Sequence, residues 1–273
     1  MNAGVLAPSA AAVRRNLGFL PLPLPDEPFA PRSGLPHKDF GVRPLLAPED
    51  EAERAYHRWL LGHHVALCVW RRLAEVLTRM YREGVHDALL DEAAVWFDRY
   101  SAMFVYAGSC GEVLYRTVIR TSMAAANPAF SGVWARDYTY LQQLLHGLDV
   151  PPDSSLKRAV KSNRLVHMKI GKALVPEGES LLKESGRRAG DGALPAEEDM
   201  FDSYFQVDRG PVGEDVFMAH AVHRADAAAR DLEQHPIDLP ELAPVLDLVP
   251  GEVTTLVRDI VSAFVPAERG DAA

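Results

Sequence analysis

Residues 59–70 read WLLGHHVALCVW, a stretch that is apolar on every side of a helix apart from His63 and His64. A helix of that kind runs through a core, because no face of it is fit for water. The same helix extends in both directions. Upstream, Pro48, Glu49 and Asp50 suit a helix N-terminus. Downstream, the apolar and aromatic positions Tyr56, Trp59, Leu60, Leu67, Trp70, Leu73, Leu77 and Tyr81 recur at three- and four-residue steps until Gly84. The spacing therefore predicts one long central helix over about 49–83.

Further helices follow by the same reading, over about 89–105, 138–148, 156–174, 214–234 and 250–264, with another over 109–126 where Ser109 and Glu112 make a capping-box pattern. Asp153 or Ser154 can cap the helix from 156. Residues 204–207 are the one strand candidate, and the polar, glycine-rich stretch 185–199 reads as a mobile loop of the kind that can serve as a lid. The expected fold is all-α, a single helical domain. Residues 1–48 form a proline-rich N-terminal arm, for which regular structure is not expected, and residues 49–273 form the helical domain. Phe19, Leu20 and Leu22 are the arm residues available for docking.

The chain of 273 residues is 48% hydrophobic and 25% charged, so it can enclose a sizeable core. Its formal charge of −9 disfavours nucleic-acid phosphates and anionic membranes as partners and leaves a small molecule as the expected one. Cys68 and Cys110 both lie in apolar sequence and read as buried thiols. No uninterrupted apolar run is long enough to span a bilayer, and residues 17–24 fail as a signal peptide, so a cytoplasmic location is expected.

Three groups of histidines could carry chemistry: His57, His63 and His64, then His167, then His220 and His223. His63 and His64 stand out, because burying two adjacent imidazoles requires partners, cavity water or a ligand. His167 has Asn163 and Gly171 on its helical face, and Gly171 leaves room for a large flat ligand or for a packed helix. In the segment YAGSCGEVLYRTVIR, residues 106–120, Arg116 and Arg120 share a face, with Tyr115 beside them and Ser109 at the helix start. A guanidinium fork grips a carboxylate with two parallel hydrogen bonds, so this face suits an amino-acid substrate. Phosphate loops, paired-cysteine zinc patterns, nucleophile elbows and HExxH helices are all missing from the sequence.

The blocks HRWLLGHH, YAGSCGEVLYRTVIR, NPAFSGVWARDY, LVHMKIG and HPIDLPELAP, within residues 56–244, resemble the bacterial heme-dependent L-tyrosine 3-hydroxylases. Those enzymes belong with tryptophan 2,3-dioxygenase among the histidine-ligated heme aromatic oxygenases. The resemblance implies an all-helical homodimer enclosing one b-type heme (iron protoporphyrin IX). It implies His167 as the axial iron ligand beside Asn163 and Gly171, and His63 or His64 on the distal, catalytic side. It also implies Ser109, Tyr115, Arg116 and Arg120 around the substrate. The reaction implied is hydroxylation of L-tyrosine, or a ring-substituted analogue, ortho to the phenol, giving L-DOPA from tyrosine in natural-product biosynthesis. The oxidant would be hydrogen peroxide, or dioxygen with a reductant. The chain lacks the paired cysteines with which methyltyrosine-hydroxylating relatives attach heme, so noncovalent heme is expected. Two other readings fit the helices alone: a nonheme di-iron oxygenase, which needs inward carboxylates spaced with histidines, and a non-catalytic small-molecule-binding protein.

Overall fold

The computed structural model describes residues 8–31, 44–176 and 178–265. Its helices are α1 (Pro8–Leu17), α2 (Glu51–Glu83), α3 (Asp87–Ala107), α4 (Gly111–Leu114), α5 (Thr121–Ala126), α6 (Arg136–Gly147), α7 (Ser155–Leu174), α8 (Leu181–Glu184), α9 (Pro195–Tyr204), α10 (Glu214–Gln234), α11 (Ala243–Leu246) and α12 (Val253–Phe264). A two-stranded parallel ribbon, β1 (Leu20–Leu22) with β2 (Val207–Arg209), is the only sheet among the described residues. The all-α expectation holds. No described helix is long and apolar enough to cross a membrane.

Helix α2 is the axis of the core. Its first turn is capped by Asp50, whose carboxylate accepts from the Glu53 amide at 2.9 Å. Along it, Leu60, Leu61, Leu67, Cys68, Val69, Leu73 and Leu77 are fully enclosed. It packs along α3, and α3 in turn packs along α7. Two glycines set how closely these helices approach. A Cβ on Gly62 would fall 2.7 Å from Ala107 Cβ, and one on Gly108 would fall 2.7 Å from Ile170 Cγ2. Larger residues at either position would push α2 from α3, or α3 from α7, and so separate the two helices that carry His63 and His167.

A buried ion pair ties α10 to this pair. Arg58 Nε and Nη2 donate to the two Asp231 oxygens at 2.7 and 3.0 Å, and the Tyr106 hydroxyl donates to Asp231 at 2.9 Å. Arg58 also donates to Ser109 Oγ at 3.1 Å. A paired charge of this kind is held in place by the cost of leaving either partner alone in the core.

Five expectations are corrected. Part of the proline-rich arm is regular: residues 8–17 are helical, with Val13 and Leu17 buried, and Leu20 and Leu22 are buried as β1 against β2. Local alanine content favours the helix, and a strand at the edge of the body supplies partners that sequence reading cannot see. Phe19 by contrast is 62% exposed. Arm residues 1–7 and 32–43 lie outside the described residues. The Ser109–Glu112 capping box does not form, because the Ser109 hydroxyl is spent on the Tyr106 carbonyl at 2.6 Å and the helix begins at Gly111. The expected helix over 109–126 is also not uniform, since Tyr115–Arg120 is a π-helical turn between α4 and α5. Such turns recur at functional sites. The strand expected at 204–207 lies three residues later, and α9 occupies part of the expected loop 185–199.

Candidate active site

His63 lies on α2 one turn after Trp59. Its Nδ1 bonds the Trp59 carbonyl at 2.6 Å, and because a carbonyl only accepts, Nδ1 carries the proton. Burial keeps the ring a neutral imidazole, so Nε2 is bare, and it has no hydrogen-bond partner among the described residues. One face stacks on Phe205, centroids 4.0 Å apart and planes inclined by 15°, while Trp59 lies 4.4 Å away. Burial lowers the His63 pKa to about 4; the Trp59 bond opposes that, and His167 adds to it. That influence of His167 brings imidazoles from α2 and α7 into one region.

His64 is placed differently. It is fully buried, its Nε2 donates to the Phe205 carbonyl, and its Nδ1 accepts from Arg224 Nε at 3.0 Å. Both nitrogens are used inside the fold, leaving neither for a ligand.

His167 extends from α7, which Ser154 caps through the Lys157 amide. Its ring stacks on Phe104, centroids 4.6 Å apart and planes 5° from parallel, and desolvation lowers its pKa. Neither nitrogen is hydrogen-bonded among the described residues, and the side chain keeps accessible surface. One turn on, a Cβ at Gly171 would meet nothing within 4 Å. An imidazole with free nitrogens beside open space suits an axial ligand to a flat group. Asn163, two helical turns from Ile170, is buried and donates to Ser101 at 3.0 Å, so it joins α7 to α3.

At the C-terminal end of α7, Tyr115, Arg116, Arg120, Leu174 and Glu184 line a pocket of about 460 Å³. Arg120 pairs with Glu184 at 2.6 Å and its side chain is 16% exposed, whereas Arg116 pairs with Glu112 at 3.2 Å and is 62% exposed. Arg120 is thus the less screened cation. Tyr115 also makes an edge contact with Trp59, centroids 6.0 Å apart, and so joins this pocket to the surroundings of His63. Ser109 is absent from the pocket lining, held in the Arg58 network.

A family model for SfmD 3-methyl-L-tyrosine peroxygenase matches residues 3–162, more than half of the chain. The chain belongs to that family. No individual curated protein matches it. The SfmD peroxygenase match includes His63 and the Tyr115–Arg120 turn, while Asn163, His167 and Gly171 lie beyond its end. Among the described residues, no group of three or more His, Cys, Asp or Glu side chains is placed to hold a metal ion alone.

Trp59, Phe104, Phe205 and Glu184 are site neighbours that sequence reading missed. Trp59 was within reach, being one turn from His63. Phe205 was not, since 141 residues separate it from the histidine whose ring nitrogen its carbonyl accepts from.

The buried histidines predict an acid-side loss of stability. Burial depresses His57 and His63 from the ordinary 6.5 to about 4, and His64 is lowered as well. Between pH 6.5 and 4 the unfolded chain takes up protons that the folded chain refuses, so stability is full above that window and falls as pH drops through it. Denaturant melts across this range should show a falling midpoint; a flat midpoint would mean that these imidazoles are not buried neutral.

Proposed function

We propose that this chain is a heme-dependent peroxygenase that hydroxylates L-tyrosine, or its ring-methylated analogue, ortho to the phenol. The observation carrying this reading is the pair His63 and His167: one neutral with a bare Nε2, the other with ring nitrogens unbonded among the described residues, on helices α2 and α7 that glycine contacts pack against α3, in a chain of the SfmD peroxygenase family.

The residues present fit the prosthetic group. His167 would hold the iron, and Gly171 leaves the space beside it open. Both thiols are buried and pushed up to about 12 by burial, which supports noncovalent binding. When bound, heme supplies the oxidising centre, and the protein supplies orientation and proton transfer. With heme bound, His63 Nε2 would accept a proton from hydrogen peroxide and return it to the oxygen that leaves as water, and the same atom would be available for the phenol proton. Arg120 exchanges Glu184 for the substrate carboxylate. Along α7, Leu174 at the pocket is about 10 Å from His167, at about 1.5 Å per residue, which leaves room for an amino acid to extend its ring towards the histidines.

Incubating the heme-loaded protein with hydrogen peroxide and either L-tyrosine or 3-methyl-L-tyrosine should yield the corresponding catechol. Failure with both substrates, under peroxide and under dioxygen with ascorbate, would defeat the reading. Replacing Arg120 with alanine should weaken substrate binding by roughly 2–4 kcal/mol, the scale for a charge left unpaired. Equilibrium binding of L-tyrosine measures it, and parental affinity in Arg120→Ala would put the anchor elsewhere.

A further inference from the structure

We propose that Arg224 and His64 form a positioning relay that holds Phe205 against His63, anchored at its outer end by the N-terminal arm. The inference rests on His63 being the proton-transfer group.

Arg224 on α10 is 2% exposed, and no carboxylate pairs with it among the described residues. Its donors go instead to neutral acceptors: Nε to His64 Nδ1 at 3.0 Å, Nη1 to His220 Nδ1 at 2.7 Å, and Nη2 to the carbonyls of Phe19 at 2.7 Å and Leu17 at 3.4 Å. A guanidinium has no lone pair to offer, so His64 must present a bare Nδ1 to it and carry its proton on Nε2. That proton is donated to the Phe205 carbonyl. The charge of Arg224 thus selects the His64 tautomer, and the tautomer fixes the backbone of Phe205.

The next residue is constrained from the other side. Gln206 has φ +53°, the one positive φ outside glycine among the described residues. A side-chain-bearing residue stays in that region when its surroundings hold it there. Here the arm does so: the Leu20 amide donates to the Gln206 carbonyl at 2.9 Å, and Gln206 Nε2 donates to the Arg14 carbonyl at 3.1 Å. Phe205 is therefore gripped between His64 and the arm, and its ring presents a flat face 4.0 Å from the His63 centroid. His64 and Arg224 reach no ligand themselves. They determine where His63 Nε2 points.

The test compares variants of the heme-loaded full chain. His64→Gln keeps an oxygen to accept from Arg224 and an N–H for the Phe205 carbonyl, whereas His64→Leu keeps neither. A displacement of about 1 Å at a reacting group costs up to about 100-fold in rate, so His64→Leu and Phe205→Leu should lower kcat at least about tenfold with KM nearly unchanged, and His64→Gln should rescue kcat to within about threefold of the parent. Equal kcat in His64→Leu and His64→Gln, or an effect confined to KM, overturns the relay. If His64→Leu does not fold, Phe205→Leu against Phe205→Tyr, which keeps the flat face, decides in the same way. Parental turnover in His63→Gln would instead sink the acid–base reading, whereas a slow His63→Gln beside unaffected relay variants sinks the relay alone.

Discussion

His167→Ala is expected to be purified without heme, or with heme whose absorption spectrum shows altered coordination. His167 is the one histidine on α7, and its ring nitrogens are bonded to nothing else among the described residues, which leaves them available to the iron. Within the fold the ring contributes mainly its stack on Phe104, and such aromatic pairs are worth about 0.5–1.5 kcal/mol. The variant should therefore fold with a small loss of stability while its heme binding collapses. That contrast separates a ligand from a packing residue. Visible absorption and heme content, measured beside circular dichroism, decide the matter. Added imidazole should restore a Soret band close to the parent's, and an unchanged spectrum without it would remove His167 from the iron.

The second large effect belongs to His63. His63→Gln should keep heme and slow turnover by roughly 10²- to 10⁴-fold, the usual range for a positioned general acid or base. The physical basis is the tautomer: the Trp59 carbonyl holds the proton on Nδ1 and leaves Nε2 as the acceptor. A glutamine amide fills similar space but does not take up a proton near neutral pH. Single-turnover measurements with peroxide at saturating substrate check it, and a variant as fast as the parent would exclude His63 from the proton transfers.

Much of this site was legible in one dimension. The apolar run 59–70 with its two histidines announced both a core helix and buried polar groups that require partners. Gly171 near His167 was legible as space, and Arg116 with Arg120 as a carboxylate-suited face. Which of the adjacent histidines keeps an unbonded nitrogen was not. His63 and His64 differ by one position on the same helix, and the distinction comes from Phe205 and Arg224, residues far away in the chain. Likewise the two arginines look equivalent until α8 brings Glu184 to one of them.

The amino-acid order by itself determined the long helices α2, α3, α7 and α10, because 3.6-residue periodicity is a local property that each segment carries with it. It determined too which side chains have lone pairs or charges to offer. Tertiary structure alone decided how those groups were spent. The Ser109 hydroxyl went to Tyr106 and Arg58, where sequence suggested a cap or a substrate contact. Within the proline-rich arm, Leu20–Leu22 became a strand because β2 was there to receive it. A hydrogen bond is directional and short, so its assignment depends on which acceptor lies within about 3 Å, a condition set by the packing of distant segments and carried by none of them individually.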